Sequence, residues 1–393
     1  MMTLPNAATV HDRVPSRQET ADRKEDPAVF LMVQTLETGG SERQFAALAK
    51  SLPQSAFRLE LGCIRRKGTL NDFGEIPQFP LGGSLFGMQS LKSRFALARH
   101  LRRRRISISQ SFDFYSNLTA IPAARMAGVP VVIGSQRQLG DQLRPAQSRA
   151  QLVAFRCCDK VVCNSQAGAE GLIKRGFPAH RIAVIGNGLL PEAFAAAKPA
   201  LPFRPGVVRV GMIARMNARY KNHDHFLLAT ARLQHRFPNA EFILVGDGPL
   251  RPELEEKARS LGLEKRVIFL GDRRDIPAIL ASLEFTALPS ATESLSNAIL
   301  ESMAAGVPVV AYQIGGNPEL ITKHTGLLVR PNDVEAFAEA MGGLLNGASQ
   351  RAELGRNARA FAQTNFNMDK VRGRYEELYR DLLQQKVGYR KPR

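Results

Sequence analysis

Short apolar runs alternate with longer stretches of helical period along almost the whole chain. The first run is AVFLMV, residues 28 to 33, without a polar break. Such a run predicts a strand buried on both faces, as in a parallel sheet. Then comes LETGGSERQFAALAKSL, a glycine pair followed by an apolar helical stripe. Ser41 and Gln44 fit the S-x-x-Q capping box, so the helix is expected to start at Ser41. The unit repeats through RLELGCI, SLKSRFALARHLRRRR, ISISQSF, SNLTAIPAARMAG, VPVVIGS, KVVCNS, a helix over 166–175 and RIAVIGNG. Between 190 and 206 the pattern lapses into LPEAFAAAKPALPFRPG, whose four prolines mark an interdomain linker. Alternation restarts with VVRVGMIAR, a helix near 222–236, AEFILVGDG, a helix over 249–261 and RVIFLGD. It continues through EFTALPS, VPVVAY and TGLLV, and MDKVRGRYEELYRDLLQQ closes the chain as a long amphipathic helix. Strands alternating with helices predict an α/β chain of two doubly wound, parallel-sheet, Rossmann-like domains. The expected boundaries are a disordered leader over 1–27, a first domain over 28–195, a second over 206–365, and a final helix with a basic tail over 366–393.

Composition narrows the function classes. The chain has 393 residues, of which 44% are hydrophobic, enough for two sizeable cores. No stretch of 18 apolar residues occurs, so no membrane-spanning helix is expected. The leader carries charges where a signal peptide would carry an apolar segment. The cysteines, Cys63, Cys157, Cys158 and Cys163, show no CxxC spacing, and reduced thiols in the cytoplasm are expected. The net charge of +18 points to anionic partners: nucleic acid, lipid headgroups or phosphorylated small molecules. The chain shows no reading helix and no aromatic platform among its basic residues, so no nucleic-acid partner is expected.

The candidate chemistry lies in the second half. Arg215 and Lys221 follow the strand VVRVGMI, and ligands of open α/β sheets sit beyond the carboxyl ends of strands. A guanidinium fork and an ammonium there suit a diphosphate. In TESLSNAILESMAAGVPVV, residues 292 to 310, Glu293 precedes a helix that Ser294 or Ser296 caps and Gly306 closes, and Glu301 lies within that helix. On one continuous helix the eight-residue spacing would turn the two carboxylates about 80° apart. Because Glu293 stands before the helix, both can face one ligand over the helix start. The N–H groups of Leu295, Ser296 and Asn297 favour a phosphate there. Acceptors for hydroxyls, donors for a phosphate and a cation pair together suit a nucleotide sugar.

ESLSNAILESMAAGVPVVAYQIGGNPEL is similar to the E-x7-E motif of retaining glycosyltransferases of the GT-B fold, family 4. TGGSERQ resembles that family's first glycine loop, Arg215 and Lys221 keep its R-x5-K spacing, and VVCNS, IGNG, LVGDGP, FLGDRRD and GGNPEL follow in its order. The resemblance implies two Rossmann-like domains facing a cleft, with the C-terminal helix returning to the first. It implies a retaining hexosyl transfer from a UDP- or GDP-linked sugar to a glycan or lipid-linked acceptor, with no cofactor and no metal. It places Glu293 on the donor sugar, Glu301 on the ribose, and Arg215 and Lys221 on the diphosphate. Leu295 to Asn297 would meet the distal phosphate or sugar, Gly39 and Gly40 would let the first loop approach the diphosphate, and the base would lie near Gly271, Asp272 and Arg273. The sequence departs from the family at SQSFDFYSN, residues 109 to 117, where a histidine is common and Asp113 or Tyr115 stands instead. Arg137 stands at another strand end, where a cleft role and a solvated arginine are both open. A non-catalytic sugar-nucleotide binder, or a hydrolase or epimerase on the same fold, is the alternative. His223-Asp224-His225 lacks a third ligand at zinc-like spacing, so helix-start polarity explains it. In residues 91 to 105, Leu91, Phe95, Ala98 and Leu101 form one stripe among basic residues. Packing on the chain's own sheet is expected, and contact with an anionic membrane is the other reading. The basic tail would add to any such attraction.

Overall fold

The computed structural model describes residues 26–68, 73–85 and 87–387. The expected leader, apart from Asp26 and Pro27, and the last six residues of the tail lie outside the described residues. The first sheet contains β1 (Ala28–Val33), β2 (Arg58–Cys63), β3 (Ile106–Ser111), β4 (Val131–Gln136), β5 (Lys160–Cys163) and β6 (Ile182–Val184). All pair in parallel, in the order β2-β1-β3-β4-β5-β6. The second sheet contains β7 (Val208–Ile213), β8 (Ala240–Val245), β9 (Val267–Gly271), β10 (Phe285–Leu288), β11 (Val309–Tyr312) and β12 (Gly326–Val329). It is also parallel, in the order β12-β11-β10-β7-β8-β9.

The first sheet carries α1 (Gly40–Ser51), α2 (Met88–Arg103), α3 (Phe114–Ala127), α4 (Pro145–Arg156) and α5 (Gln166–Lys174). The second carries α6 (His223–Leu233), α7 (Arg251–Ser260), α8 (Ile276–Leu280), α9 (Asn297–Ala304), α10 (Asn317–Leu320), α11 (Val334–Asn346) and α12 (Ala348–Asn365). The alternation of β1 shows why its sequence is wholly apolar. Val29, Leu31 and Val33 join one core with Phe45 and Leu48 of α1, while Phe30 and Met32 join another with Leu97 and Leu101 of α2. The last helix, α13 (Met368–Val387), returns to the first domain. Its Val371, Tyr375 and Tyr379 enter the α1-side core, and the Tyr379 hydroxyl donates to Gln110 Oε1 at 2.6 Å.

Two local expectations are corrected. The helix α1 starts at Gly40 with Gly39 as its cap, and the Ser41–Gln44 box does not form. Gln44 instead holds the backbone of Gly188, donating to its carbonyl at 3.0 Å and accepting from its N–H at 2.8 Å. On α2, the buried side is Ser90, Ser93, Leu97, Ala98 and Leu101, and Leu91 and Phe95 point outward, 44% and 57% exposed. Buried serines are admissible because Ser90 and Ser93 donate to the carbonyls of Leu85 and Pro80, at 2.7 and 2.5 Å.

Candidate active site

The carboxyl ends of both sheets face one cavity of about 500 Å³. The first domain lines it from the loops after β1, β3, β4 and β5, through Gln34, Asp113, Arg137 and Asn164. The second lines it from the loops after β7 and β10 and from the start of α9. This is where open α/β sheets place ligands.

Glu293 lies in the loop after β10, and its Oε1 accepts Lys221 Nζ at 2.6 Å. Burial alone would lower the Lys221 pKa, but the adjacent Glu293 carboxylate and Tyr220 together raise it above the ordinary value. Arg215 stands exposed in the cavity wall and makes no ion pair among the described residues. The two cations expected at a diphosphate are therefore unequal: one is free, and the other is tied to the carboxylate expected on the sugar. Gly315 adopts φ +47°, and a Cβ there would lie 1.9 Å from the Glu293 carbonyl oxygen. The glycine thus lets the GGNPEL turn back the loop that carries Glu293.

Ser296 caps α9, accepting from Ile299 N–H at 3.5 Å. Ser294 does other work: its hydroxyl donates to Asn164 Oδ1 at 2.6 Å and meets Ser165 Oγ at 2.9 Å in the first domain. Leu295, Ser296 and Asn297 all line the cavity. Asn297 Oδ1 accepts from Asn187 Nδ2 at 2.6 Å, and Asn187 Oδ1 accepts from Arg137 at 2.5 Å. Glu319 reaches from α10 to the first turn of α5 and accepts from Gln166 and Ala167 N–H, at 2.8 and 3.0 Å. The two domains therefore meet through polar contacts beside the cavity.

The glycine pair of the first loop makes room for two specific groups. A Cβ on Gly39 would collide with the Glu42 carboxylate at 2.1 Å, and one on Gly40 would press on Asn297 Nδ2 at 3.3 Å. Gly40 lines the cavity, together with Glu42. At the strand end where the resemblance leads to the expectation of a histidine, Asp113 caps α3 and lines the cavity, accepting from Gln34 and Ser116 N–H at 2.7 and 2.9 Å. Tyr115 instead packs edge-on against Phe114. Burial raises the pKa of both Asp113 and Glu42, and for Glu42 the charge of Asp113 adds to it.

Glu301 is 7% exposed, inside α9, and lines a second, smaller cavity of about 220 Å³. The guanidinium of Arg43, from α1, forms an ion pair with it. Burial raises the Glu301 pKa, and Arg43 only partly offsets this. The residues expected at the base, Gly271 to Arg273, line neither cavity: Gly271 ends β9, and Arg273 pairs with Asp275 at 2.6 and 2.8 Å. Ile276, Pro277 and Leu280 of α8 line the smaller cavity instead. His223 and His225 face separate partners, the Ala214 carbonyl at 3.2 Å and the Tyr312 hydroxyl at 2.9 Å. Sequence reasoning missed Arg43, and it reached Glu42 and Asn187 only as members of the TGGSERQ and IGNG matches, without giving either a role.

The profile described as "Glycosyltransferase Family 4" matches residues 38–192, and that described as "Glycosyl transferases group 1" matches residues 207–347. The UDP-Gal:alpha-D-GlcNAc-diphosphoundecaprenol alpha-1,3-galactosyltransferase of Escherichia coli is 27% identical over 356 residues, covering 84% of this chain and 91% of that enzyme. The alpha-D-kanosaminyltransferase of Streptomyces kanamyceticus is 29% identical, covering 66% of this chain and 72% of that enzyme. Among solved structures, Anabaena Alr3699/HepE in complex with UDP-glucose superposes with a TM-score of 0.79 at 23% identity. It covers 90% of this chain and 99% of that one. That likeness confirms the fold: two parallel six-stranded sheets facing a cleft.

Proposed function

The chain belongs to the group 1, family 4 glycosyltransferases, and from that premise we propose that it moves a hexosyl unit from a nucleoside diphosphate sugar to a hydroxyl of a glycan or lipid-linked acceptor. Retention of configuration and independence of metal are part of the proposal. The carrying observation is the placement around one cavity of Arg215, the Lys221–Glu293 pair and the start of α9, with Glu301 further along that helix. In this reading Arg215 and the α9 start hold the diphosphate. Glu293 takes the sugar hydroxyls, with Lys221 fixing its carboxylate and facing the nearer phosphate. Glu301 takes the ribose, and the base enters the apolar cavity beside Ile276, Pro277 and Leu280. The bond from the anomeric carbon to the diphosphate breaks, and one to the acceptor oxygen forms on the same face. The departing phosphate oxygen takes the acceptor proton. Fixed cations and N–H groups at the leaving group supply the main rate term.

A UDP-linked donor and a lipid-diphosphate acceptor are what the name of the Escherichia coli relative states of that enzyme, so UDP is the first ligand to try. The test is a thermal-shift panel of UDP, GDP, ADP and TDP with their sugars. A ligand that binds only the folded state at 100 times its Kd adds about 2.7 kcal/mol and raises the midpoint. One nucleoside diphosphate and its sugar are expected to raise it, and silence across the panel would overturn the reading.

We assign the outward face of α2 to peripheral contact with an anionic membrane, at the cytoplasmic side. Met88, Leu91 and Phe95 are 71%, 44% and 57% exposed, and Lys92, Arg99, Arg102 and Arg103 are exposed on the same face. Arg94 is turned inward onto the carbonyls of Leu85 and Leu118. Among the described residues no helix is long and apolar enough to cross a membrane. A face that is apolar at one end and cationic at the other fits a headgroup boundary. Each cation near such a surface contributes about 1 kcal/mol. Changing Leu91 and Phe95 to Ser is expected to reduce sedimentation with phosphatidylglycerol-containing vesicles at least about ten-fold, since each buried side chain is worth roughly 1.5–3 kcal/mol. Unchanged binding would remove this face from the proposal.

A further inference from the structure

The two cavities share one lining residue, which is half of an ion pair. Arg43 lines both, and its guanidinium sits on Glu301, which lines the smaller one. A nucleoside diphosphate with its phosphates in the larger cavity and its base in the smaller one has to pass between them, across Glu301. The Arg43 side chain is 42% exposed, a long arm laid over the cleft, whereas that of Glu301 is 9% exposed. The pair also joins the domains, since Arg43 belongs to α1 and Glu301 to α9.

We propose that Arg43 is a gate on the donor site: it occupies the Glu301 carboxylate while the cleft is empty and is displaced by the ribose hydroxyls of an entering nucleoside diphosphate. This rests on the nucleotide-sugar reading above.

The physical reasoning is an exchange of partners. A carboxylate buried in a cleft needs a counter-charge or hydrogen-bond donors. In the empty enzyme the guanidinium supplies them from the opposite domain. A ribose supplies two hydroxyl donors and no charge, so it replaces the ion pair without leaving the carboxylate unpartnered. The freed guanidinium returns to water at little cost, because nearly half of its side chain is already there. The domains are then joined on this side by the donor in place of the ion pair. Donor binding and this interdomain contact thus compete for one carboxylate. No other ion pair of the described residues joins the two domains at this carboxylate.

The test is Arg43→Ala, with affinities measured by calorimetry at pH 8 for the nucleoside diphosphate selected by the thermal-shift panel and for inorganic pyrophosphate. Removing the competitor is expected to tighten the nucleoside diphosphate about five-fold, the scale of a half-exposed ion pair. Pyrophosphate, which has no ribose, is expected to bind both proteins alike. Weaker binding of the nucleotide would overturn the gate and make Arg43 a direct ligand, and equal nucleotide affinity would overturn it as well. In an Glu301→Gln background the five-fold gain should vanish, and its persistence would overturn the proposed partner. If the wild-type protein binds no nucleoside diphosphate at all, the donor reading has failed rather than the gate.

Discussion

Lys221→Met is expected to lower the rate of nucleoside diphosphate release from the donor about 10²–10³-fold, the effect of removing one preorganised group from a developing charge. The side chain is 22% exposed and its partner Glu293 11%, so the pair works largely out of water, where its field is strong. Removing the ammonium also leaves Glu293 without its counter-ion, and breaking such a pair costs about 3–5 kcal/mol when it is fully buried. Part of the loss will therefore appear as a lower melting temperature, and the two contributions separate by comparison with Glu293→Gln. That variant keeps the cation for the diphosphate and loses the carboxylate for the sugar. It is expected to bind the free nucleoside diphosphate normally and the nucleotide sugar poorly. The Lys221 pKa is raised, so the stability this pair contributes is present below the ordinary lysine value and is lost only as pH rises through the higher folded one. Lys221→Met should leave the pH profile between pH 6 and 9 unchanged, whereas Glu293→Gln removes the charge that opposes burial and should move the Lys221 titration to lower pH. A rate unchanged by Lys221→Met would take the residue out of the leaving-group machinery.

The fold was legible because parallel strands leave an unmistakable trace. A run such as AVFLMV has to be apolar on every residue when alternate side chains enter two different cores. The faces of α2 were not legible by the same logic. Its buried side contains Ser90 and Ser93, whose hydroxyls find backbone carbonyls, and its outer side contains Met88, Leu91 and Phe95. The hydrophobic stripe read from the sequence therefore holds for Ala98 and Leu101, which are buried, and fails for Leu91 and Phe95, which face outward. The Ser41–Gln44 box failed for a related reason: Gln44 has a better use 144 residues away, on Gly188.

The candidate site divides along the same line. Glu293, Arg215, Lys221 and the start of α9 stand out because each follows a strand end or opens a helix, which are local features. What each side chain touches is a long-range property. Lys221 meets Glu293 across 72 positions, and Arg43 reaches Glu301 from the other domain. Opposite charges in one sequence do not say which pairs form. The convergence of the groups could be argued from the chain, and their pairing could not.

Glu301→Gln is expected to weaken the nucleoside diphosphate about 10²-fold and to leave pyrophosphate unaffected. Two hydroxyl groups donating to a carboxylate are worth about 1.5–3 kcal/mol each, and the amide keeps the volume while losing the charge. The pH dependence provides an independent check with a definite sign. Burial holds the Glu301 pKa above that of an ordinary glutamate, with Arg43 acting against it. The ribose needs the ionised form, so donor affinity is expected to fall as pH drops through this raised value, earlier than an exposed carboxylate would dictate. The donor-free fold behaves in the opposite way. In the window between the ordinary and the raised value, the folded protein holds a proton that the unfolded chain has lost. The contribution of Glu301 to stability therefore declines as pH rises through that window. Acid should stabilise the empty enzyme at this residue and destabilise its complex, and the Gln variant should show neither trend. A nucleotide Kd equal in the wild-type and Gln proteins would remove Glu301 from the ribose.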